Sequence, residues 1–296
     1  MPRPSLDMRA PKATGNPVAG TAGNPATGTA GNPAAGMAGN PATGMAGNPV
    51  AGMAGSAAIG VALAVLVLAA WLAAHVAAIF LIDWAHAPWW LAPLVVLGET
   101  WLFVGLFIVA HDAMHGALVP GHPRANRWVG RICLALYAAL SYDRMAARHR
   151  DHHRYPGTAA DPDFDPDHPR AFLPWFGRFM WRYYGWRDLL AMAVAMTAYL
   201  VLLGPPVGRL LAFYALPAIL SAVQLFYFGT FRPHRHDDAA AFADHHNARS
   251  EGFPWLVSLL TCFHFGGYHH EHHLSPGTPW WRLPARRRAL AAEDKA

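Results

Sequence analysis

Eight of the chain's 18 histidines fall into three short runs, His111-x3-His115, His149-x2-His152-His153 and His269-x2-His272-His273. Residues three and four apart share one face of a helix. Each run can therefore aim two or three imidazoles at a single point. Imidazole suits first-row transition metals, and an all-nitrogen set of this kind favours iron over calcium or magnesium. Eight such ligands are more than one ion can hold, so the pattern predicts two metal ions close together. By spacing alone these could be iron, manganese or a zinc pair. A lone histidine is more often a surface or hydrogen-bonded core group, but three runs in so apolar a chain argue for a site.

The elements that must position these runs are membrane helices. The 296 residues are 54% hydrophobic and 14% charged, with 12 Trp and 15 Phe, whereas soluble domains carry about 25% charged residues. The net charge of +5 does not point to nucleic acid, because the basic residues flank apolar runs and form no module with stacking aromatics. Cys133 and Cys262 sit in apolar surroundings without a C-x-x-C partner. Neither a disulfide framework nor a thiolate iron–sulfur site is expected.

Residues 15–54 are five copies of a GNPxxGxA octapeptide. Two glycines and a proline per unit oppose helix and sheet, and the units hold too little apolar surface to offset ordering. Residues 1–56 are therefore read as a disordered tail, residues 57–285 as the working domain and 286–296 as a C-terminal tail. The tail has no charged segment running directly into an apolar core, so it is not expected to be a cleaved signal peptide.

Four apolar runs reach or approach the ~20 residues of a crossing: 57–82, 89–110, 189–203 (long enough if it starts near Trp186) and 210–231. Residues 128–142 and 255–265 are shorter and are expected to lie at the interface. The fold class is thus an all-α integral membrane protein of four crossings under a histidine-rich helical cap. Of the 23 Lys and Arg, three precede the first span, 11 lie in 111–187, eight in 232–296, and only Arg209 at the opposite end. The positive-inside rule makes the crowded face cytoplasmic. All three histidine runs fall on that face, and only His75 and His86 lie elsewhere.

Zinc hydrolases use three protein ligands and often an H-E-x-x-H box with its glutamate base, which is absent here. Attack on unactivated C–H bonds needs redox metal and O2, because no side chain can do it. The residues therefore read as a membrane di-iron oxygenase or desaturase.

These runs resemble the histidine-motif membrane desaturase/hydroxylase superfamily. Longer strings are similar to bacterial β-carotene ketolases: HDAMHG (111–116), DPDF (161–164), FGTFRPHR (228–235), HNARS (246–250), LLTCFHFGGYHHEHH (259–273) and PWWRLP (279–284). The resemblance spans roughly residues 57–285. It implies two Fe2+ ions, O2 as co-substrate and electrons from a reduced ferredoxin-type donor. The implied reaction is two hydroxylations at the C4 methylene of a β-ionone ring, then loss of water to a ketone, on a lipid-dissolved carotenoid in the inner (cytoplasmic) membrane. The implied metal ligands are His111, His115, His149, His152, His153, His269, His272 and His273. The superfamily's ninth histidine is carried over by position to His234, with His246 as runner-up. The Phe231-Arg232 pair departs from the family, which more often has Leu before the proline; little effect is expected.

Ligating imidazoles generally donate their other N–H to a carboxylate or carbonyl. Asp112, Asp161 and Asp163 are candidates for that role, with Asp151 and Glu271 as likely to be solvated helix charges. Glu99 lies inside the second span, where a carboxylate is expensive and often functional; it either supports the metal site or packs as a protonated group. His75 is expected to pack or hydrogen-bond. Trp84, Trp89, Trp90, Trp280 and Trp281 are expected at the membrane interfaces, the last pair alternatively against the carotenoid. The competing readings are a carotenoid 3-hydroxylase or fatty-acyl desaturase with the same metals, and a non-catalytic membrane metal-binding or transport protein. Transporter sites usually lie near the midplane, which counts against the last.

Overall fold

The structure, a computed structural model, describes residues 49–236 and 241–293, leaving aside the side chains of 49–55. It is helical throughout, with no strand among the described residues. Four helices are long and apolar enough to cross a bilayer: Ser56–Leu81, Leu91–Met114, Trp186–Leu203 and Val207–His234. This is a multi-pass membrane protein of four crossings, as the sequence led us to expect.

Helix α1 (Pro49–Val76) runs on through a π-helical turn, Ala77–Leu81. It starts inside the last octapeptide, upstream of the expected boundary at residue 57, because proline is tolerated at a first helical position, where its missing N–H leaves no bond unmade. The rest of the repeat tail, through residue 48, lies outside the described residues. Helix α2 (Leu91–Met114) is the central element, packed against α1, α3 (Pro123–Ala138) and α8 (Leu216–Phe226). Its 24 residues make about 36 Å of helix against an apolar layer of about 30 Å. The helix is thus somewhat longer than the layer it would cross, and His111 lies in its last turn.

Helix α3 begins earlier than residue 128, with Pro123 at its first position, and stops where Ala139 turns left-handed at φ 52°. It is amphipathic and lies against α2, and Tyr137 reaches Ser221 Oγ of α8 at 2.9 Å. Helix α4 (Tyr142–Arg154) follows, then α5 (Phe172–Tyr183), α6 (Trp186–Leu203) and α7 (Val207–Leu210). From α7 the chain continues as one helix through a π-helical turn, α8, a second such turn (Tyr227–Phe231) and α9 (Arg232–His234). Helices α10 (Trp255–Cys262) and α11 (His269–Leu274) and a 3-10 turn (Trp280–Arg282) lead to α12 (Leu283–Glu293).

Residues 286–296, read above as a tail, thus belong through Glu293 to α12. The helix is held because Arg287 donates to Glu271 Oε1 at 2.5 Å and also to the Gly267 carbonyl. His75 packs and hydrogen-bonds as expected, stacking on Trp71 and reaching the Tyr199 hydroxyl at 2.8 Å. Both cysteines are buried free thiols. Trp89 and Trp90 are exposed in keeping with an interfacial place, whereas Trp84 stacks on Phe213 with ring centroids 4.3 Å apart. Trp280 is buried against Phe263 and Trp281 lies beside Gly60 of α1. That pair is packing between the cap and the first span.

Candidate metal centre

The three runs fold over the ends of the spans as their spacing requires. His111 and His115 end α2, where the latter's amide closes onto the His111 carbonyl. His149, His152 and His153 occupy the last turns of α4, and His269, His272 and His273 make up half of α11. The approach to α11 depends on Gly267, where a Cβ would stand 2.2 Å from Ser258 Oγ. No other residue lets that turn sit so close under α10.

The ring nitrogens converge in two groups. His111, His115, His149, His153 and His272 form one; His152, His234, His269 and His273 form the other. Within each group the ligand atoms lie within 4.8 Å of one another. Helices α4 and α11 divide their imidazoles between the two groups, whereas both histidines of α2 belong to the first. His234, not His246, joins the second group. His246 instead places Nδ1 3.1 Å from Asp244 Oδ1, while His270 Nε2 takes the other oxygen at 2.9 Å.

The donor set fits transition-metal ions. His115 and His149 bring their Nε2 atoms to 2.7 Å, His153 and His272 to 3.0 Å, His234 and His269 to 2.8 Å, and His269 and His273 to 3.1 Å. With metal–nitrogen bonds of about 2.1 Å, two ligands at a right angle stand about 3.0 Å apart and two at the tetrahedral angle about 3.4 Å. These closest spacings are compatible with two ring nitrogens on one ion. Burial drives the pKa of His115, His149, His153, His269, His272 and His273 well below the ordinary imidazole value. They are held neutral, the form that ligates.

Support behind the rings is uneven. His152 Nδ1 lies 3.0 Å from both oxygens of Asp161. The same carboxylate accepts from the amides of Gly157 and Asp163, each at 2.8 Å. Burial works against a proton on His152, but Asp161 and Asp163 outweigh it and push its pKa up to about 9. The carboxylates that favour a proton there favour any cation at its far nitrogen. Asp163 stands 3.8 Å from His152 and takes the Tyr183 hydroxyl; burial and then the neighbouring Asp161 charge raise it to about 6. Asp161 is thus within hydrogen-bond reach of His152, and Asp163 is not.

Asp112 has a different place. Its Oδ2 accepts the Trp280 amide at 2.9 Å, and Oδ1 is 3.6 Å from His111 Nδ1, beyond hydrogen-bond reach. It ties the 3-10 turn to α2. Glu99 is buried twelve residues before His111, about 18 Å along the helix, and neither oxygen has a partner among the described residues. It touches none of the convergent imidazoles. Asp151 is exposed, and Glu271 is buried and paired with Arg287.

The main support missed by sequence is Asn247. Its backbone carbonyl accepts His234 Nδ1 at 2.7 Å, and its side chain donates to the Pro156 carbonyl at 2.9 Å. Asn247 adopts φ 44°, a left-handed conformation asparagine tolerates better than most residues. The HNARS string marks the position, but a carbonyl acceptor leaves no mark in side-chain identity.

Beside the imidazoles opens a cavity of about 920 Å³ including its mouth. Its walls are mainly apolar, among them Phe107, Ile108, Phe179, Leu225 and Phe265, and His111, His149, His152 and His269 line it as well. Trp280 and Trp281 do not line it, so the alternative of their contact with a carotenoid there finds no support. The cavity is thus mainly apolar and opens onto the convergent imidazoles.

Comparison with known proteins agrees with the site. The fatty acid desaturase family model matches residues 87–187 and 170–296. The β-carotene ketolase of Paracoccus sp. (strain N81106 / MBIC 01143) is 53% identical over 223 residues, covering 75% of this chain and 89% of that protein. A β-carotene ketolase of Paracoccus sp. (strain PC1) is 50% identical over 228 residues, 76% of this chain and 91% of that protein. A zeaxanthin 4-ketolase of Chlamydomonas reinhardtii is 36% identical over 245 residues, 78% of this chain and 54% of that protein. The chain therefore belongs to the fatty acid desaturase family, and within it to the β-carotene ketolases.

Proposed function

We infer that this chain is a β-carotene 4-ketolase, an oxidoreductase that converts the C4 methylene of a β-ionone ring to a ketone in carotenoid biosynthesis. The observation that carries the reading is the apolar cavity lined by four imidazoles of the two histidine groups. A hydrocarbon ring enters such a cavity by displacing water from apolar walls, and a redox metal is what its C–H bonds require. The identity to two ketolases over most of the chain supplies the substrate class.

Nine histidines would hold two irons: His111, His115, His149, His153 and His272 one, and His152, His234, His269 and His273 the other. When bound, the pair supplies O2-dependent hydroxylation of the allylic C4 position, twice at one carbon, after which loss of water leaves the ketone. The chain's own residues do the rest. Asp161 and the Asn247 carbonyl fix the tautomer and plane of His152 and His234, leaving the Nε2 atoms free to ligate. The aromatic and aliphatic walls orient the ring and keep water from the oxidising site. Electrons come from a reduced ferredoxin-type protein, and the metal face is cytoplasmic by the distribution of arginine and lysine, in the cell's inner membrane.

Expression in cells that accumulate β-carotene tests this reading. Echinenone and canthaxanthin are the expected pigments. Zeaxanthin instead would make the chain a 3-hydroxylase, and an unchanged pigment profile with bound metal would remove it from the enzymes.

A further inference from the structure

Thr230 lies on the π-helical turn Tyr227–Phe231, one turn before His234 on the same continuous helix, and lines the cavity together with His152 and His269. Threonines on helices commonly turn the hydroxyl back onto a carbonyl one turn earlier. Thr100 does so to Val96 at 2.7 Å and Thr261 to Val257 at 2.8 Å. Thr230 makes no such bond, and its hydroxyl has no partner among the described residues. The tyrosine hydroxyls of the cavity wall are committed elsewhere: Tyr137 to Ser221, Tyr183 to Asp163 and Tyr184 to the Ala138 carbonyl. Thr230 thus offers an uncommitted hydroxyl in the mainly apolar lining of a cavity that His152 and His269 share.

We propose that Thr230 sets the choice between plain and hydroxylated rings, its hydroxyl pairing with a 3-hydroxyl group on the β-ionone ring. The proposal rests on the ketolase reading and deepens it. If C4 stands at the imidazole-lined end of the cavity, C3 is one bond away and its substituent falls on the wall nearest the ligands. Thr230 lines the cavity that His152 and His269 also line, and stands one helical turn before His234. Covering its hydroxyl with hydrocarbon leaves a buried polar group unpaired, whereas a ring hydroxyl satisfies it. A site built to pair a substrate hydroxyl discriminates against the ring that lacks one more strongly than an apolar wall rejects the ring that has it.

The test is competition between zeaxanthin and β-carotene, supplied in equal amounts in lipid vesicles to the iron-loaded, full-length protein with O2 and a reduced ferredoxin. The readout is the ratio of kcat/KM for the two. Thr230→Val keeps the shape and removes the hydroxyl, and should lower the zeaxanthin to β-carotene ratio about tenfold. Thr230→Ser should hold the ratio within about twofold of wild type. Thr230→Ala gives a second reading of the same loss should valine disturb the helix. A ratio unchanged in both the valine and alanine variants would overturn the role of Thr230, as would a serine variant that shifts as far as valine. Wild-type protein that makes no ketone from either carotenoid would overturn the ketolase reading itself, a result distinct from ketone formed at an unaltered ratio.

Discussion

The two histidine groups solve the same problem in different ways. The five-histidine group has ligands to spare, but three of them are only partly buried, and the carboxylate nearest His111 is 3.6 Å away. The four-histidine group is buried at every member and is braced from behind, His152 by Asp161 and His234 by the Asn247 carbonyl. Number compensates for bracing in one group and bracing for number in the other. The difference teaches where the site is fragile: a lost ligand should hurt the smaller group most, and so should a lost brace.

The largest effect is therefore expected from His152→Ala or His234→Ala, which leave three imidazoles in the smaller group. Both should lose iron and all detectable ketone, whereas His115→Ala should keep more iron because four imidazoles remain beside it. Iron per chain by elemental analysis, set against ketone yield, checks the order; equal losses in the two groups would break the comparison. Next comes Asp161→Asn, which exchanges an ionised acceptor for an amide behind His152. Losses of a brace of this kind run to about 10- to 100-fold in metal affinity or activity. Asp112→Asn should cost far less iron, since its firm bond is to the Trp280 amide, and the two variants compared under one chelator titration would show it.

A smaller effect is expected from Gly157→Ala. Gly157 adopts φ 65°, and a Cβ there would stand 3.0 Å from that of Asn247. The left-handed conformation alone costs a residue with a Cβ about 1–2 kcal/mol, which should appear as a lowered Tm and easier loss of iron from the smaller group. The smallest is Glu99→Gln. With its carboxyl about 18 Å along α2 from His111, iron content and ketone yield should stay at wild-type levels; a loss of iron would bring Glu99 into the site.

The histidines themselves are legible in the sequence; their asymmetry is not. Helical spacing marks the eight histidines of the three runs, and the charge distribution assigns them to one side of four spans. The division into five and four was not legible, because it depends on how α4 and α11 are rotated against α2. His234 came only from family resemblance, since a single histidine after a span has no spacing to announce it. Asn247 acts through a backbone carbonyl, which sequence does not distinguish. Glu271 stayed open between a supporting group and a solvated charge because its ion pair joins residues 16 apart, and neither charge alone says that it is buried. Thr230 could be named only once its hydroxyl was seen to lack the carbonyl that other helical threonines find.

The central claim is that nine imidazoles hold two irons at the end of the substrate cavity. Iron content of the purified protein, reconstituted anaerobically with Fe2+ and freed of loose metal, tests it most directly. The account requires two irons per chain in the wild type and fewer in His234→Ala. One iron per chain, or zinc retained in preference to iron with ketone formation intact, would contradict it.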